Sequence, residues 1–390
     1  MKPITLRIFN DITDAYYYMG KLFVLTSDGY LKFIEQWFFF QKYIVGKDIY
    51  DNELLSQVLF NNDQLESPKK FNEYGIYYDH FSAFWEKTDS SRFEVKIHDD
   101  DLTTICPLPI SQSLDFIIYA QRAFIGNRDG LYECQLTVEG DTVAGKGFLR
   151  VFEGKSININ ARIGQLLIST KQDGLFAGSI VSLRERLQIR DQAIERDSVR
   201  TGWANYNFIN YRNDTEADYF VNEIQNEDSD EAITFKADDG GYRNQKITQF
   251  AVEKTALTAR LAKASRQENI IFAFNSLTKS FTVSDKGKIY YTGFLEQNGQ
   301  FVELGNFQAF RDIAFDIPKL GYPLSAHTVA GGTIYEFFDQ VILVKGGVME
   351  NLSAIECKQI RSFASSKWYK NVVLTLSEDC LECHSIHPYI

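Results

Sequence analysis

The sequence predicts an all-β fold built from one repeated unit. Three observations carry this: a hairpin signature that recurs along the 390 residues, an average spacing of about 50 residues once degenerate copies are counted, and a short small-residue stretch ahead of several of them. The signature is an alternating apolar run, a polar turn bearing Asp-Gly, and a second alternating run. It is clearest at residues 21–36 with Asp28-Gly29, 122–136 with Asp129-Gly130, and 165–180 with Asp173-Gly174. Looser copies occupy 279–294 with Gly287, 340–352 with Gly347, and 371–386, where Cys380 takes the glycine position. Asp-Gly supplies the positive φ angles of a tight turn, and the alternation buries one face of each strand.

The two long gaps between these copies each hold a degenerate candidate. One runs from Phe81 to Ile97 with its turn near Asp89, the other from Asn207 to Ile224 with its turn near Asp214. Counted together, the copies recur at about 50 residues, a spacing that suits propeller repeats. The small-residue stretches begin at Ser156, Ser198, Ser325 and Ser362, some way before a turn. They read as innermost strands, so a four-stranded unit runs inner strand, hairpin, outer strand. For the unit at 165–180 the outer strand falls in 183–194. Leu183, Leu187 and Ile194 also fit one helix face there, but without a strand the unit lacks its fourth.

On these hairpins the chain resembles the β-propeller superfamily, and the copies at 122–136 and 165–180 look most like sensor-type bacterial propellers. No Trp-Asp or Gly-His signature of the WD40 class is present, and no closer family is named. The expected architecture is one propeller domain over residues 1–390, with seven or eight blades. Residues 1–9 supply the outer strand of the last blade. Short helical insertions are expected near 50–60 and 253–265, where helix formers carry apolar residues three and four apart. The acidic stretch 222–239 reads as an exposed loop around a strand at 232–235. Propellers of this kind serve mostly as binding platforms and sometimes as hydrolase scaffolds.

Bulk composition narrows the function classes. Lys and Arg number 41 against 52 Asp and Glu, a net charge of −11, which argues against broad binding to a phosphate backbone. No run approaches the ~20 apolar residues of a membrane helix. The first residues show no signal-peptide pattern, and the five Cys are scattered except for the last two. A cytoplasmic location with reduced thiols is therefore expected.

Several short motifs resemble ligand-binding strings. Cys380-Leu-Glu-Cys383-His384 matches a haem-attachment string, and Cys380, Cys383 and His387 have zinc-ligand spacing. In the repeat, however, Cys380 is a turn residue and Cys383 a strand residue, so no haem, zinc or other cofactor is expected. Gly140 to Gly147 nearly matches a phosphate-binding loop, but Gly147 replaces the required Ser or Thr and a strand follows. It reads as a hairpin turn. The five His (80, 98, 327, 384 and 387) show no helix-borne metal spacing, and no Gly-x-Ser-x-Gly elbow occurs.

Arg200 and His327 occupy equivalent positions, in Ser198-Val-Arg-Thr201 and Ser325-Ala-His-Thr328. On inner strands they would face a channel mouth, or else bond to neighbouring blades. Arg128, Lys171, Lys286 and Lys345 all stand beside the hairpin turns. These six residues form the expected contact surface for a partner protein with an acidic surface. The aromatic runs Tyr16 to Tyr18, Trp37 to Phe40 and Tyr77-Tyr78 fill the space between blades or form a recognition surface. The expected function is a non-catalytic scaffold or sensor subunit that binds another protein of its pathway. The alternative is a hydrolase or lyase acting at the channel mouth with carboxylates and His327.

Overall fold

The computed structural model describes residues 2–44, 55, 58, 59, 83–88, 92–110, 112–182, 184–204, 207–225, 233–236, 242–256, 268–276, 279–293, 295–297, 300–302, 308–329, 332–366 and 368–386. The fold is an all-β propeller with seven blades. The chain forms two compact units, Pro109–Ile317 (the central unit) and Met1–Leu108 with Pro318–Ile390 (the terminal unit).

Along the chain, β1 (Ile4–Phe9) precedes β2 (Ile12–Tyr18), β3 (Lys21–Thr26), β4 (Tyr30–Glu35), helix α1 (Gln36–Tyr43), β5 (Arg92–Lys96) and β6 (Thr103–Pro107). The central unit opens with β7 (Asp115–Tyr119), β8 (Arg122–Gly126), β9 (Leu131–Glu139) and β10 (Thr142–Phe152). Next come β11 (Asn158–Arg162), β12 (Gln165–Ser169), β13 (Leu175–Ser179) and β14 (Gln188–Ile189). Its third blade holds β15 (Arg200–Ala204), β16 (Asn207–Tyr211), β17 (Ala217–Gln225), β18 (Ile233–Lys236) and β19 (Tyr242–Ala256). Its fourth runs through β20 (Ile270–Ser276), β21 (Lys279–Ser284), β22 (Lys288–Gly293), the hairpin β23 (Leu295–Gln297) with β24 (Gln300–Val302), and β25 (Gln308–Ala314). The terminal unit resumes with β26 (Ser325–Val329), β27 (Gly332–Glu336), β28 (Val341–Lys345), β29 (Val348–Ser353), β30 (Gln359–Ser362), β31 (Val372–Leu376) and β32 (Leu381–Ser385).

Every blade is an antiparallel meander whose first strand is innermost, as in β7-β8-β9-β10 and β26-β27-β28-β29. The second strands β3, β8, β12, β16 and β31 are buried at every position. Their centres are therefore apolar without alternation, as in Leu22–Leu25, Ala123–Ile125, Leu166–Ile168 and Val372–Leu374, as expected of strands covered on both faces. The turn after the second strand has a recurring bond. The amide of its first residue donates to the carbonyl three on: Asn127 to Gly130 at 3.0 Å, Phe337 to Gln340 at 2.8 Å, and Ser377 to Cys380 at 3.0 Å. Glycine is used there for two different reasons. Gly174 has φ 107°, whereas Gly130 has no positive φ but lies where a Cβ would stand 2.3 Å from the Phe152 carbonyl oxygen. The turn itself tolerates a side chain, which is why Cys380 and Gln340 can stand in that place.

The structure revises several sequence expectations. There are seven blades, not eight: residues 83–88 of the proposed 81–97 hairpin are helical, and β5 runs parallel to β1 outside the last blade. The hairpin at 340–352 exists, but it joins the third and fourth strands, β28 and β29. The second-to-third turn of that blade is Phe337–Gln340, which lacks glycine and so escaped detection. Residues 253–256 belong to β19 and not to a helix, and the rest of the 253–265 segment lies outside the described residues. Of the insertion near 50–60, only Leu55, Val58 and Leu59 are described, and they are helical and buried. Tyr77 and Tyr78 also lie outside the described residues.

The last sheet joins the two ends of the sequence. β1 pairs antiparallel with β32, Ile4 opposite Ser385 through Ile8 opposite Leu381. Ile4, Leu6 and Ile8 are fully buried in one cluster with Leu55, Phe84, Trp85, Val372 and Leu374. The Trp85 indole N–H donates to the Lys2 carbonyl at 3.0 Å. Truncating Leu6 would open a cavity in this cluster, so Leu6→Ala should cost about 2–5 kcal/mol in chemical denaturation. A cost below about 1 kcal/mol would show that β1 is peripheral to stability.

Candidate functional site

In each blade the start of the inner strand and the turn after the second strand lie at the same end of the sheet, called here the turn-bearing end. In the terminal unit this end of β26–β29 gathers several polar groups. Ser325, opposite Glu336, opens β26. Its hydroxyl lies 3.2 Å from His327 Nε2 and donates to the Glu336 carboxylate. Burial pushes the Glu336 carboxyl up, and the Ser325 bond opposes that only in part. Half-buried Cys357 is held at about 11 by burial, reinforced by the nearby negative charge of Glu336 and Glu382. Imidazole and carboxylate both meet the serine hydroxyl, so the carboxylate does not stand behind the imidazole as in a hydrolase triad.

Apolar side chains surround this cluster at the same end. Tyr322 is 64 % exposed, Leu324 56 %, Phe338 67 % and Ile355 43 %. The Leu324 amide donates to the Glu336 carbonyl at 2.8 Å, which sets Leu324 beside the Phe337–Gln340 turn. None of these four residues is among the contact residues expected from the sequence. The available signal was Tyr322-Pro-Leu324 and Phe337-Phe338, apolar residues in connections where turn chemistry favours polar ones.

The predicted contact residues fall into distinct settings. In the central unit Arg128 and Lys171 are exposed in the β8–β9 and β12–β13 turns. Among the described residues neither side chain has an ion pair or hydrogen bond. The Lys171 backbone, at φ 73°, exchanges hydrogen bonds of 2.7 and 3.0 Å with Ser198. Lys286 is exposed and stands 3.8 Å from Glu268. Burial pushes the Glu268 carboxyl up, but hydrogen bonds from Ser284, Lys288 and Tyr290 outweigh it and hold the group at about 2.

Arg200 is engaged inside the central unit. Its guanidinium carbon lies 4.6 Å from the Tyr211 ring centre and 4.3 Å from that of Phe272. It also donates to the Ala273 carbonyl and approaches Asp214 at 4.0 Å. Burial lowers its pKa, opposed by Tyr211 and Asp214. In the terminal unit His327 belongs to the cluster above. Lys345 ends β28, paired with Gly332, and so lies at the end of its sheet opposite the Phe337–Gln340 turn. Its expected place beside a second-to-third turn is thereby corrected.

The Cys380–His384 string is built into the sheet. The Tyr17 hydroxyl donates to Cys383 Sγ at 3.2 Å, and burial holds that thiol at about 12. His384 uses both ring nitrogens, Nδ1 to Thr5 Oγ1 at 3.0 Å and Nε2 to Thr375 Oγ1 at 2.9 Å. Neither residue is poised as a metal ligand. The Gly140–Gly147 segment is the turn and bulge of the β9–β10 hairpin, with a register shift between Gly145 and Phe148.

No protein-family model and no curated protein matches the chain. Among solved structures it is similar to YCF48 bound to a D1 peptide, with 9 % identity, a TM-score of 0.42, and coverage of 74 % of this chain and 84 % of that one. It is also similar to human WBSCR16, with 11 % identity, a TM-score of 0.39, and coverage of 74 % and 89 %. The WD40 β-propeller domain of Doa1 shows 8 % identity, a TM-score of 0.34, and coverage of 70 % and 96 %. The assignment of seven blades rests on strand pairing in the chain itself.

Two predictions follow from this geometry. Arg200→Ala removes the cation from between two rings and leaves the Ala273 carbonyl without its donor. It should cost about 1–3 kcal/mol and lower the melting temperature measurably. The second concerns Glu268, whose carboxyl is held below its ordinary 4.5, so its stabilising effect is full above about 4.5 and fades as the pH falls toward 2. Glu268→Gln should weaken the protein in urea at pH 7 and flatten its loss of stability between pH 5 and 3. An acid limb identical to that of the parent protein would refute this.

Proposed function

We propose that this chain is a non-catalytic protein-interaction module, a scaffold or sensor subunit, whose partner presents an acidic surface. One observation carries the reading. Arg128 and Lys171 are exposed cations at the turn-bearing ends of successive blades in the central unit, and no described residue neutralises either through a contact. The Ser156 amide donates to the Asn127 carbonyl at 2.8 Å, which ties the first of those turns to the connection leading into the next blade. Cations on such fixed turns can meet carboxylates of a partner without losing an internal bond.

Lys286 extends the proposed contact along the central unit, with a charge partly answered by Glu268. Arg200 is bonded within the central unit and steadies β15 and β20; His327, held by Ser325, and Lys345, at the other end of its sheet, belong to the terminal unit and are not part of this contact. Asp129 and Asp173 neighbour the two leading cations, and the chain carries −11 overall. Recognition therefore depends on close matching of charges within the screening length of about 8 Å, not on a long-range field. None of the five cysteines forms a disulfide, in keeping with a reducing cytoplasmic setting.

The test is selection from a displayed random-peptide library, comparing the parent chain with the Arg128→Glu/Lys171→Glu double variant. Peptides rich in Asp and Glu should be enriched by the parent and released by raised salt. They should bind the variant about tenfold more weakly or worse. Melting temperatures should be equal, since both side chains are exposed. Enrichment indifferent to the substitutions would defeat the reading.

A further inference from the structure

The turn-bearing ends of the two adjacent blades β26–β29 and β30–β31–β32–β1 have a character opposite to that of the central unit. Four apolar side chains stand in water there: Tyr322, Leu324, Phe338 and Ile355. The residues of the two turns and the connection between them (337–340, 354–358 and 377–380) contribute four exposed carboxylates, Asp339, Glu356, Glu378 and Asp379, and one exposed cation, Lys358. The Lys358 amide donates to the Leu376 carbonyl at 2.7 Å, binding this connection to the second blade. Half-buried Cys357, between Glu356 and Lys358, belongs to the same connection. Apolar groups and carboxylates therefore stand at the same ends of two adjacent blades, joined by a hydrogen-bonded connection.

We infer that this surface docks a partner segment bearing apolar anchors flanked by lysine or arginine. Apolar patches on a soluble surface mark interaction sites, and the surrounding charge selects what approaches them. A second copy of this chain is the wrong occupant. A two-fold contact would set the same carboxylates against one another with no cation in sufficient number to answer them. A cationic segment meets the carboxylates favourably and covers the rings. This surface is independent of Arg128 and Lys171, so either assignment can fail alone.

The experiment measures fluorescence anisotropy with the full chain and two short synthetic probes. One alternates leucine with lysine, and the other replaces every lysine by glutamate. The lysine probe should bind saturably and the glutamate probe should not. Phe338→Asp and, separately, Asp339→Lys/Glu378→Lys should each weaken the lysine probe about tenfold. The Arg128→Glu/Lys171→Glu variant should bind it like the parent. All the substituted positions are exposed, and unchanged circular dichroism will confirm folding. Equal binding of both probes, or binding indifferent to Phe338→Asp and to the charge reversals, overturns the inference. So does sedimentation showing a dimer that Phe338→Asp dissolves, because the patch would then belong to a second copy.

Discussion

The pairing of β1 with β32 is the constraint on which the terminal unit depends. It places Ile4–Phe9 beside Leu381–Ser385, so the sheet containing the last strands of the chain is completed by the first. Three fully buried residues of β1 carry the helical residues 83–88 and the described part of the 55–59 segment. The polar groups of the same sheet are also committed. Arg7 binds Glu382 at 2.7 Å and Glu94 at 3.2 Å, bridging three neighbouring strands. His384 lies between Thr5 and Thr375, on the strands at either side of β32. A string that looks like ligand chemistry in sequence is here a line of cross-strand bonds. Burial without a partner would cost each of these groups about 1–3 kcal/mol, so the register of β1 fixes them all together.

How far the sequence was legible follows from which signals are local. Hairpins at 21–36, 122–136, 165–180 and 371–386 are readable because two largely apolar runs and a turn residue lie within some 16 positions. Inner strands were recognisable near Ser156, Ser198 and Ser325, the structure setting them at β11, β15 and β26, whereas the stretch beginning at Ser362 starts where β30 ends. The phase of the blade at 325–353 was misread because its strongest turn residues, Gly346 and Gly347, serve the outer hairpin. Its inner hairpin closes on Phe337–Gln340 with no glycine at all. The segment at 83–88 misled for a different reason. Its aromatic residues Phe84 and Trp85 suit a strand by propensity, and tertiary burial against β1 made them helical instead. Exposure is a tertiary property, so the one local sign of Tyr322, Leu324 and Phe338 was that apolar residues stand in connections, where turn chemistry favours polar ones.

The candidate residues on inner strands show why turns, and not strands, carry the binding surfaces. In the central unit one polar link after another joins successive inner strands. Asp115 of β7 accepts from the Ile159 amide of β11 at 2.7 Å, Asn158 of β11 from the Thr201 amide of β15 at 3.0 Å, and Asn275 of β20 donates to the Trp203 carbonyl of β15 at 3.0 Å. Arg200 works in the same way, from β15 to the Ala273 carbonyl of β20. The terminal unit repeats the device with charge: Arg361 of β30 makes two bonds, of 2.8 and 2.6 Å, to Asp14 of β2, both residues buried. Removing one partner of such a pair strands a buried charge, at a cost of about 3–5 kcal/mol. Polar residues on inner strands are therefore held by assembly of the blades and have little freedom to serve a ligand. Turn residues such as Arg128, Lys171, Phe338 and Asp339 bear no such duty. Their side chains can change without loosening a blade, so specificity for a partner can be written there on a scaffold that stays the same.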